Sequence, residues 1–263
     1  PDRVPGLVEG GHHFYGEDGA RALRDELLTI EEGHIVLSVV GTPHMCPAAP
    51  LEFTFMVDDW LRERGRREAF DLTYTYPIMR VHGNEQIAEW AQPRLEARDI
   101  DVETMFNAEA VDPEAGTIES MEGTELDYDL LVSIPPHTGS DLVEAAELGE
   151  GGWVDVDRHT LEATGFDDVY ALGDAAQTGV PKAGSAAHYQ ANVVKQRLAS
   201  EVRDQPATAV YDGKTICFIE TGMDDATFVE FDYERPPDPG EPTRAMHWSK
   251  LAYNESYWLT ARG

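Results

Sequence analysis

In the first half of the chain, segments with the hydrophobic pattern of strands are interspersed with segments that have the pattern of helices. Residues 34–40, 72–76 and 100–106 are short runs rich in apolar and β-branched residues, which predicts strands. Around them apolar residues recur every three or four positions, which predicts helices over 20–28, 51–64 and 85–98. The run at 34–40 is apolar except for His34 and Ser38, as expected for a parallel strand buried on both faces. Elements in this order predict a doubly wound half-sheet.

The second half begins with strands and ends in a short alternating pair. A β-meander is predicted over 107–127, with turns at 113–116 and 122–123, and a buried strand over 128–134. Pro135, Pro136 and His137 end that strand, and we expect the chain to pass there into another domain. Beyond 153–157, a short buried strand is predicted at 169–172, a helix near Gly184, strands at 215–221 and 227–233, and an aromatic tail at 248–258.

The charge balance changes the range of possible partners. Among 263 residues, 50 are acidic and 20 basic, which gives a formal net charge of -30, and only four of the basic residues are lysine. Such an excess argues against binding nucleic acid or an anionic membrane by general attraction. It resembles the composition of halophile proteins, which stay dispersed in concentrated salt. An ordinary acidic cytosolic protein is the alternative.

Two cysteines do not form a disulfide scaffold. The sequence has neither a run of about 18 apolar residues nor a signal peptide. We therefore expect a cytoplasmic protein. Peripheral contact with the cytoplasmic membrane and assembly into a homo-oligomer are left open. The first residue is Pro1 and the opening segment is typical of a mid-chain loop, so we expect the chain to be truncated at its start.

A carboxylate follows the predicted strand 169–172 directly, in the pair Gly173 and Asp174. Ligands of open α/β sheets bind at the carboxyl ends of the strands, and the first turn of the next helix offers free N–H groups. The alternative to ligand binding is that Asp174 only caps the turn or the helix of a plain strand–turn–helix unit. The segment resembles the second flavin-binding motif of flavoproteins with two dinucleotide-binding domains. The resemblance implies that Asp174 binds a ribityl hydroxyl of FAD. It implies a flavin site formed by Gly173, Asp174, Ala175, Lys182, Ala183 and Gly184.

The loop after strand 34–40 occupies the place of a nucleotide-binding glycine loop, but its sequence does not fit one. Pro43 has no N–H group, and Cys46 has a side chain where the backbone would have to approach a pyrophosphate. We therefore predict that this half-sheet does not bind NAD(P)H in the usual way.

The same loop contains Cys46 in the segment Cys-Pro-Ala-Ala-Pro-Leu-Glu, and Cys217 lies in a predicted strand beyond the flavin motif. Both segments resemble sulfide:quinone oxidoreductases and flavocytochrome-type sulfide dehydrogenases. That resemblance implies that Cys46 and Cys217 are catalytic, meet on one face of FAD, and oxidise sulfide with a quinone as acceptor. A cysteine near a helix N-terminus is further expected to favour its thiolate.

The resemblance also implies the fold class and the domain boundaries. We expect an α/β protein with two dinucleotide-binding, Rossmann-like domains, the first incomplete, and a small C-terminal β/α interface region. Residues 1–19 would be the tail of the first FAD segment and a linker. Residues 20–135 would be a central NAD-type domain with a degenerate glycine loop, 136–205 the second half of the FAD domain, and 206–263 the interface on the quinone side.

Several alternatives remain open from the sequence. A cytochrome acceptor, a type II NADH:quinone dehydrogenase-like flavoprotein and a non-catalytic cysteine redox sensor are the rival functions, and each cysteine alone is compatible with inert packing. His44 and His188 are candidates for proton transfer or for packing. Tyr253, Tyr257 and Trp258 are candidates for a quinone slot, a lipid interface or plain packing. We predict no metal site, since His12, His13 and His34 have no partner pattern.

Overall fold

The computed structural model describes residues 3–261. The first half of the chain forms α1 (Leu7–Gly10), β1 (Gly11–His12), α2 (Glu17–Thr29), β2 (Gly33–Val39), α3 (Ala49–Glu63), β3 (Phe70–Tyr76), α4 (Glu85–Glu96) and β4 (Asp101–Thr104). There follow β5 (Ala108–Asp112), β6 (Thr117–Ser120), β7 (Glu125–Asp127), β8 (Leu130–Ile134), α5 (Asp141–Ala145), β9 (Val154–Asp155) and β10 (Ala176–Gln177). The chain ends in α6 (Gly184–Glu201), β11 (Thr215–Glu220), β12 (Ala226–Phe231) and α7 (Arg244–Ala261).

A five-stranded parallel sheet in the order β1-β8-β2-β3-β4 forms the centre of the protein. β2 lies in its middle, so that Ile35 is paired with Leu72 on one side and with Leu130 on the other. Residues of β2 from Ile35 onward are buried, because both faces of the sheet are covered. The predicted strands and helices of the half-sheet are confirmed, with ends that differ by a few residues.

The two faces of the sheet pack against different layers. On one face Leu37 packs with residues of the helices, including Phe55 of α3 and Ala91 of α4. On the other face Val36 packs with Val111 and Ile118 of the antiparallel meander β5-β6-β7. The predicted meander is therefore confirmed, and it serves as the second cover of the sheet. The fold is α/β and Rossmann-like, as the sequence predicts.

The prediction of a buried strand at 169–172 is wrong. Among the described residues, this segment forms only an isolated antiparallel bridge between Glu162 and Tyr170, and its residues are half-buried. Gly173–Ala175 is a short 3-10 turn, and the parallel pairing is formed instead by β10 with β9. An apolar run becomes a strand only where a neighbouring strand satisfies its backbone groups, and here 169–172 has no such ladder.

The final third forms an antiparallel hairpin, β11-β12, with Cys217 opposite Val229. Helix α3 contacts this hairpin from one side, and α7 packs along it. The helix predicted near Gly184 is confirmed as α6, and Ala186 and Val194 lie on its buried face. Ala191 is exposed and Leu198 is 43% exposed, whereas Gln190 and Arg197 are buried. Within residues 3–261, none of the helices is long and apolar enough to cross a membrane.

Candidate active site

Cys46 and Cys217 line the same cleft, which has a volume of about 790 Å³. Cys46 lies in the loop between β2 and α3, and Cys217 lies in β11. The cleft is therefore lined by the loop between β2 and α3, the start of α6, the hairpin and α7. Both cysteines are free thiols. Two residues 171 positions apart in sequence thus face one space.

The cysteine loop is held in place by backbone hydrogen bonds. The N–H of Cys46 donates to the carbonyl of Lys182 at 2.9 Å, and the carbonyl of Cys46 accepts from the N–H of Ala49 at 2.9 Å. The hydroxyl of Tyr15 donates to the carbonyl of Met45 at 2.9 Å. Cys46 itself has φ of 49°, a left-handed conformation uncommon outside glycine. These contacts fix the Cys46 loop against the segment that precedes α6.

A single serine joins the start of α6 to the strand of the second cysteine. The hydroxyl of Ser185 donates to the carbonyl of Ile216 at 2.6 Å and accepts from the N–H of the same residue at 3.2 Å. Because Ile216 precedes Cys217, the first turn of α6 and the second sulfur are held side by side. The flavin-motif resemblance places Ser185 near the ring, but only the pairing of distant elements reveals its bonds to Ile216.

Of the six residues expected to bind flavin, Asp174, Lys182, Ala183 and Gly184 line the cleft, whereas Gly173 and Ala175 do not. Gly173 has φ of 63°, and its N–H donates to Gln190 Oε1 at 2.6 Å, which sets the direction of the turn before Asp174. The ammonium of Lys182 donates to the carbonyl of Asp174 at 2.6 Å and lies 3.7 Å from the ring centroid of Trp153. Burial lowers the pKa of Lys182, and the charge of Asp174 opposes that shift.

FAD is the cofactor that this fold implies, and the residues lining the cleft fit its ribityl and flavin portions. Within residues 3–261, no side chain or backbone N–H donates to the half-buried carboxylate of Asp174, so it is available as an acceptor for hydroxyl groups. The first turn of α6 points free N–H groups at the cleft, and the space around Cα of Gly184 is open. These are the groups that an electron-rich ring edge and a ribityl chain require.

An ion network that no sequence pattern predicted lies beside the two sulfurs. The ammonium of Lys250 on α7 contacts Glu52 Oε1 of α3, and it lies 3.7 Å from Glu220 Oε1 of β11. Glu52 Oε1 also accepts from the N–H of Glu220 at 2.9 Å, and His247 Nδ1 lies 3.1 Å from Glu220 Oε2. Glu52 and Lys250 both line the cysteine cleft. Lys250 lies 198 residues from Glu52 in the sequence, so no local sequence pattern predicts their contact.

The expectation that the cysteines favour their thiolates is wrong for the structure described here. Burial, and after it the negative charge of Glu52, raises the pKa of Cys46 to about 11. Burial, followed by the charges of Cys46 and Glu52, raises the pKa of Cys217 to about 12. Lys250 acts in the opposite direction on both. Although Cys46 is exposed along the cleft, the surrounding protein leaves its sulfur poorly hydrated.

The remaining candidates divide between this cleft and other positions. His188 and Tyr253 line the cleft, whereas His44 is buried outside it. Burial lowers the pKa of His44 to about 4, so it is neutral at physiological pH. The side chains of Tyr257 and Trp258 lie outside the described residues. In the part of the chain that the structure describes, no group of three or more His, Cys, Asp or Glu side chains is arranged to hold a metal ion.

Comparison with known proteins shows what the chain is similar to. Residues 73–191 match the family described as pyridine nucleotide-disulphide oxidoreductase, a segment that contains Asp174 and Gly184 but neither cysteine. Sulfide:quinone oxidoreductase, mitochondrial, of Mus musculus is 25% identical over 248 residues, or 90% of this chain and 55% of that protein. Its counterpart in Dictyostelium discoideum is 24% identical over 98% of this chain and 61% of that protein. In sequence, the chain is sulfide:quinone oxidoreductase-like.

A solved structure is similar to this chain in fold. The sulfide:quinone oxidoreductase of the hyperthermophilic bacterium Aquifex aeolicus superposes with a TM-score of 0.81 and 18% identity, over 99% of this chain and 66% of that chain. This sulfide:quinone oxidoreductase-like chain spans between about half and two thirds of the length of the proteins it matches.

Proposed function

We propose that this chain contributes the cysteine pair and part of the flavin site of an FAD-dependent oxidoreductase that oxidises sulfide and passes the electrons to a quinone. The observation that carries the proposal is the common cleft of Cys46, Cys217, Asp174 and Gly184. The two cysteines of the chain and its flavin-type residues come from three different elements, and packing for its own sake does not require them to share one cavity.

The proposed domains follow from this assignment. Residues 20–135 would supply Cys46 on the sheet scaffold, 136–205 the flavin-facing turn and helix, and 206–263 Cys217 and the quinone side, while 1–19 would link to a first FAD segment. Lys182, Ala183 and Gly184 would lie at the flavin ring, and Gly173 and Ala175 would set the turn around Asp174.

The sulfur chemistry is carried by the cysteines in an oxidised, bridged form. Hydrosulfide attacks one sulfur of the bridge, a new S–S bond forms, the bridging S–S bond breaks, and the other cysteine leaves as a thiolate. The proton of the hydrosulfide passes to solvent. A second hydrosulfide would then take the outer sulfur of the cysteine persulfide and leave as a hydrodisulfide ion, so that both cysteines are thiolates. FAD bound in the cleft would accept the electron pair that is released when the two thiolates re-form the bridge, and a quinone would be its oxidant. The sulfide sulfur remains as sulfane sulfur in the product.

The charges around the cleft would control the departing thiolate. Since the pKa values of both cysteines are raised by burial and by Glu52, a bare thiolate is costly in this cleft. Lys250 is the cation that lowers both pKa values, and its contact with Glu52 holds it in reach of the sulfurs. We assign Glu52 and Lys250 the role of setting the charge balance at the leaving sulfur.

The rival functions differ in what reduces the flavin. A type II NADH:quinone dehydrogenase would need the glycine loop that Pro43 and Cys46 interrupt. A redox sensor would use the cysteines only to change shape and would transfer no electrons to quinone.

The test is anaerobic reduction of flavin in the complete protein by sulfide or by NADH. We expect sulfide to bleach the flavin absorbance and NADH to leave it unchanged. Cys46→Ser and Cys217→Ser variants should lose sulfide-dependent bleaching to background while binding the same amount of flavin as the parent. Bleaching by NADH at micromolar concentration would favour the dehydrogenase, and a colourless protein would favour the sensor. Full activity in both serine variants would refute the cysteine mechanism.

A further inference from the structure

The ion network beside the two sulfurs has two members that do not line the cysteine cleft. Glu220 belongs to β11, three residues after Cys217, and His247 lies near the start of α7. Glu52 and Lys250 line the cleft, and Glu220 and His247 lie behind them. The proposed sulfide chemistry uses Glu52 and Lys250 and leaves Glu220 and His247 without a role.

Glu220 is engaged on both of its carboxylate oxygens. Its Oε1 lies 3.7 Å from Nζ of Lys250, and its Oε2 lies 3.1 Å from Nδ1 of His247. The N–H of Glu220 donates to Glu52 Oε1 at 2.9 Å, and the same oxygen of Glu52 contacts the ammonium of Lys250. Glu220 is therefore the residue that joins His247 to the lysine at the cleft.

The charges of this network balance only when His247 is protonated. Two carboxylates, of Glu52 and Glu220, share the single ammonium of Lys250, so one negative charge is in excess while the imidazole is neutral. The side chains of all four residues are at most 21% exposed. Salt screens charges at such positions much less than it screens charges at the surface, so the excess charge acts on neighbouring groups.

The two sulfurs are among the groups that respond to this charge. After burial, the negative charge of Glu52 contributes to the raised pKa of both cysteines, and the positive charge of Lys250 opposes it. Histidine is the side chain that ordinarily changes its charge between pH 5 and 8. A change of charge on His247 therefore reaches the cysteines through Glu220 and Lys250.

Of the carboxylates in residues 3–261, that of Glu220 is the one in contact with His247. The other charged side chains of β11, β12, their turn and the first half of α7 are paired with each other or exposed, namely Arg244 with Asp224, Glu230 with Lys214, and Asp225 at the surface. The network is thus the surrounding in which a proton on His247 has its main effect.

We propose that His247 is a positioning residue of the cysteine pair and that it acts through Glu220. When its imidazole is protonated, it neutralises Glu220 and leaves Lys250 to stabilise a thiolate in the cleft. When the imidazole is neutral, Glu220 and Glu52 share Lys250, and the thiolate is less favoured. The part that this thiolate plays in sulfide oxidation rests on the proposed function, whereas its formation can be measured without sulfide.

The test is the initial rate at which iodoacetamide, an uncharged reagent, modifies Cys46 in the complete protein with both cysteines reduced. Mass spectrometry gives this rate at each pH between 5 and 8. Only the thiolate reacts, so the rate for a thiol of high pKa rises about tenfold per pH unit. In the parent the rise should be smaller where His247 loses its proton, because the cysteines then lose a favourable charge. His247→Lys stays charged and should react fast, and His247→Gln cannot be charged and should react slowly, each with a constant rise per pH unit.

The parent should match His247→Lys in acid and His247→Gln at the upper end of the range. The two variants should differ about tenfold in rate at one pH if the pKa of Cys46 changes by ~1.0 between them. His34→Gln, at the opposite end of β2 from the Cys46 loop, is the matched control and should follow the parent. In a Glu220→Gln background the difference between His247→Lys and His247→Gln should shrink, since no carboxylate is left there to neutralise.

Three results would each overturn the proposal. They are equal rates for His247→Lys and His247→Gln, a bend in the pH profile that persists in His247→Gln, and a difference between these variants that is undiminished by Glu220→Gln. A parent with the expected profile whose flavin is not bleached by sulfide would contradict the proposed function and leave the role of His247 at the cysteines intact.

Discussion

Replacement of Asp58 on α3 tests how that helix and its arginine partners hold the hairpin that carries Cys217. The carboxylate of Asp58 is fully buried and accepts from Arg62 Nε at 2.9 Å, Arg67 Nε at 2.6 Å and Arg98 Nη1 at 2.9 Å. Arg98 Nη2 in turn donates to the carbonyl of Thr221, directly after β11, at 2.6 Å. Asp58→Asn keeps the shape of the side chain but removes the charge and turns an amide group toward three arginines.

The loss of stability expected for Asp58→Asn follows from the burial of the Asp58 carboxylate. Breaking a buried ion pair on one side costs about 3–5 kcal/mol, because it leaves uncompensated charge in the interior. For a chain of this size that corresponds to a decrease of roughly 6–20 °C in the thermal midpoint. Asp71→Asn, an exposed position on β3, is the matched control and should change the midpoint by less than about 2 °C.

The pH dependence has a defined sign. Burial by itself would raise the pKa of Asp58, but the hydrogen bonds from its three arginine partners lower it below the usual carboxyl value. The stabilisation is therefore complete above the unfolded pKa of about 3.9 and is lost as the pH falls through the lower folded value. The difference between parent and Asp58→Asn should shrink in acid.

The assay is thermal unfolding followed by circular dichroism, together with the rate at which iodoacetamide modifies Cys217 below the transition. We expect Asp58→Asn to melt earlier and to expose Cys217 faster, since the anchor of the hairpin at Thr221 is weakened. A midpoint within about 2 °C of the Asp71→Asn control, with an unchanged rate of modification, would refute the reasoning that this ion cluster docks the hairpin.

Two further predictions concern charge. Glu52→Gln should lower the pKa of Cys46 and Cys217, and a fall of ~1.0 in the pKa would speed their alkylation at fixed pH by up to about tenfold. Glu255→Gln, an exposed position on α7, is the control. Equal alkylation rates in the two variants would contradict the role of Glu52. With 50 acidic and 20 basic residues, raising potassium chloride from about 0.1 M to above 1 M should relieve repulsion and raise the thermal midpoint by at least a few degrees. A flat or falling midpoint would remove the halophile interpretation.

Local sequence patterns determined most of the fold. A local pattern of apolar residues predicts which face of a strand or helix is buried. For this reason the apolar run at 34–40 predicted β2, and the helical spacing at 51–64 predicted α3. The turn residues of the meander gave β5, β6 and β7 in the same way. The two cysteines were found because cysteine is rare in this chain, and the Gly173–Asp174 turn was found because its place after an apolar run resembles a motif of a known family.

Tertiary structure alone decided what surrounds those residues. The segment 169–172 lost its strand because pairing depends on a distant neighbour, and Lys250 meets Glu52 only because α7 crosses the cleft. The direction of the cysteine pKa shifts was set by burial and by the negative charge of Glu52. Desolvation and charge pairing depend on distance in space, and residue spacing along the chain does not encode it.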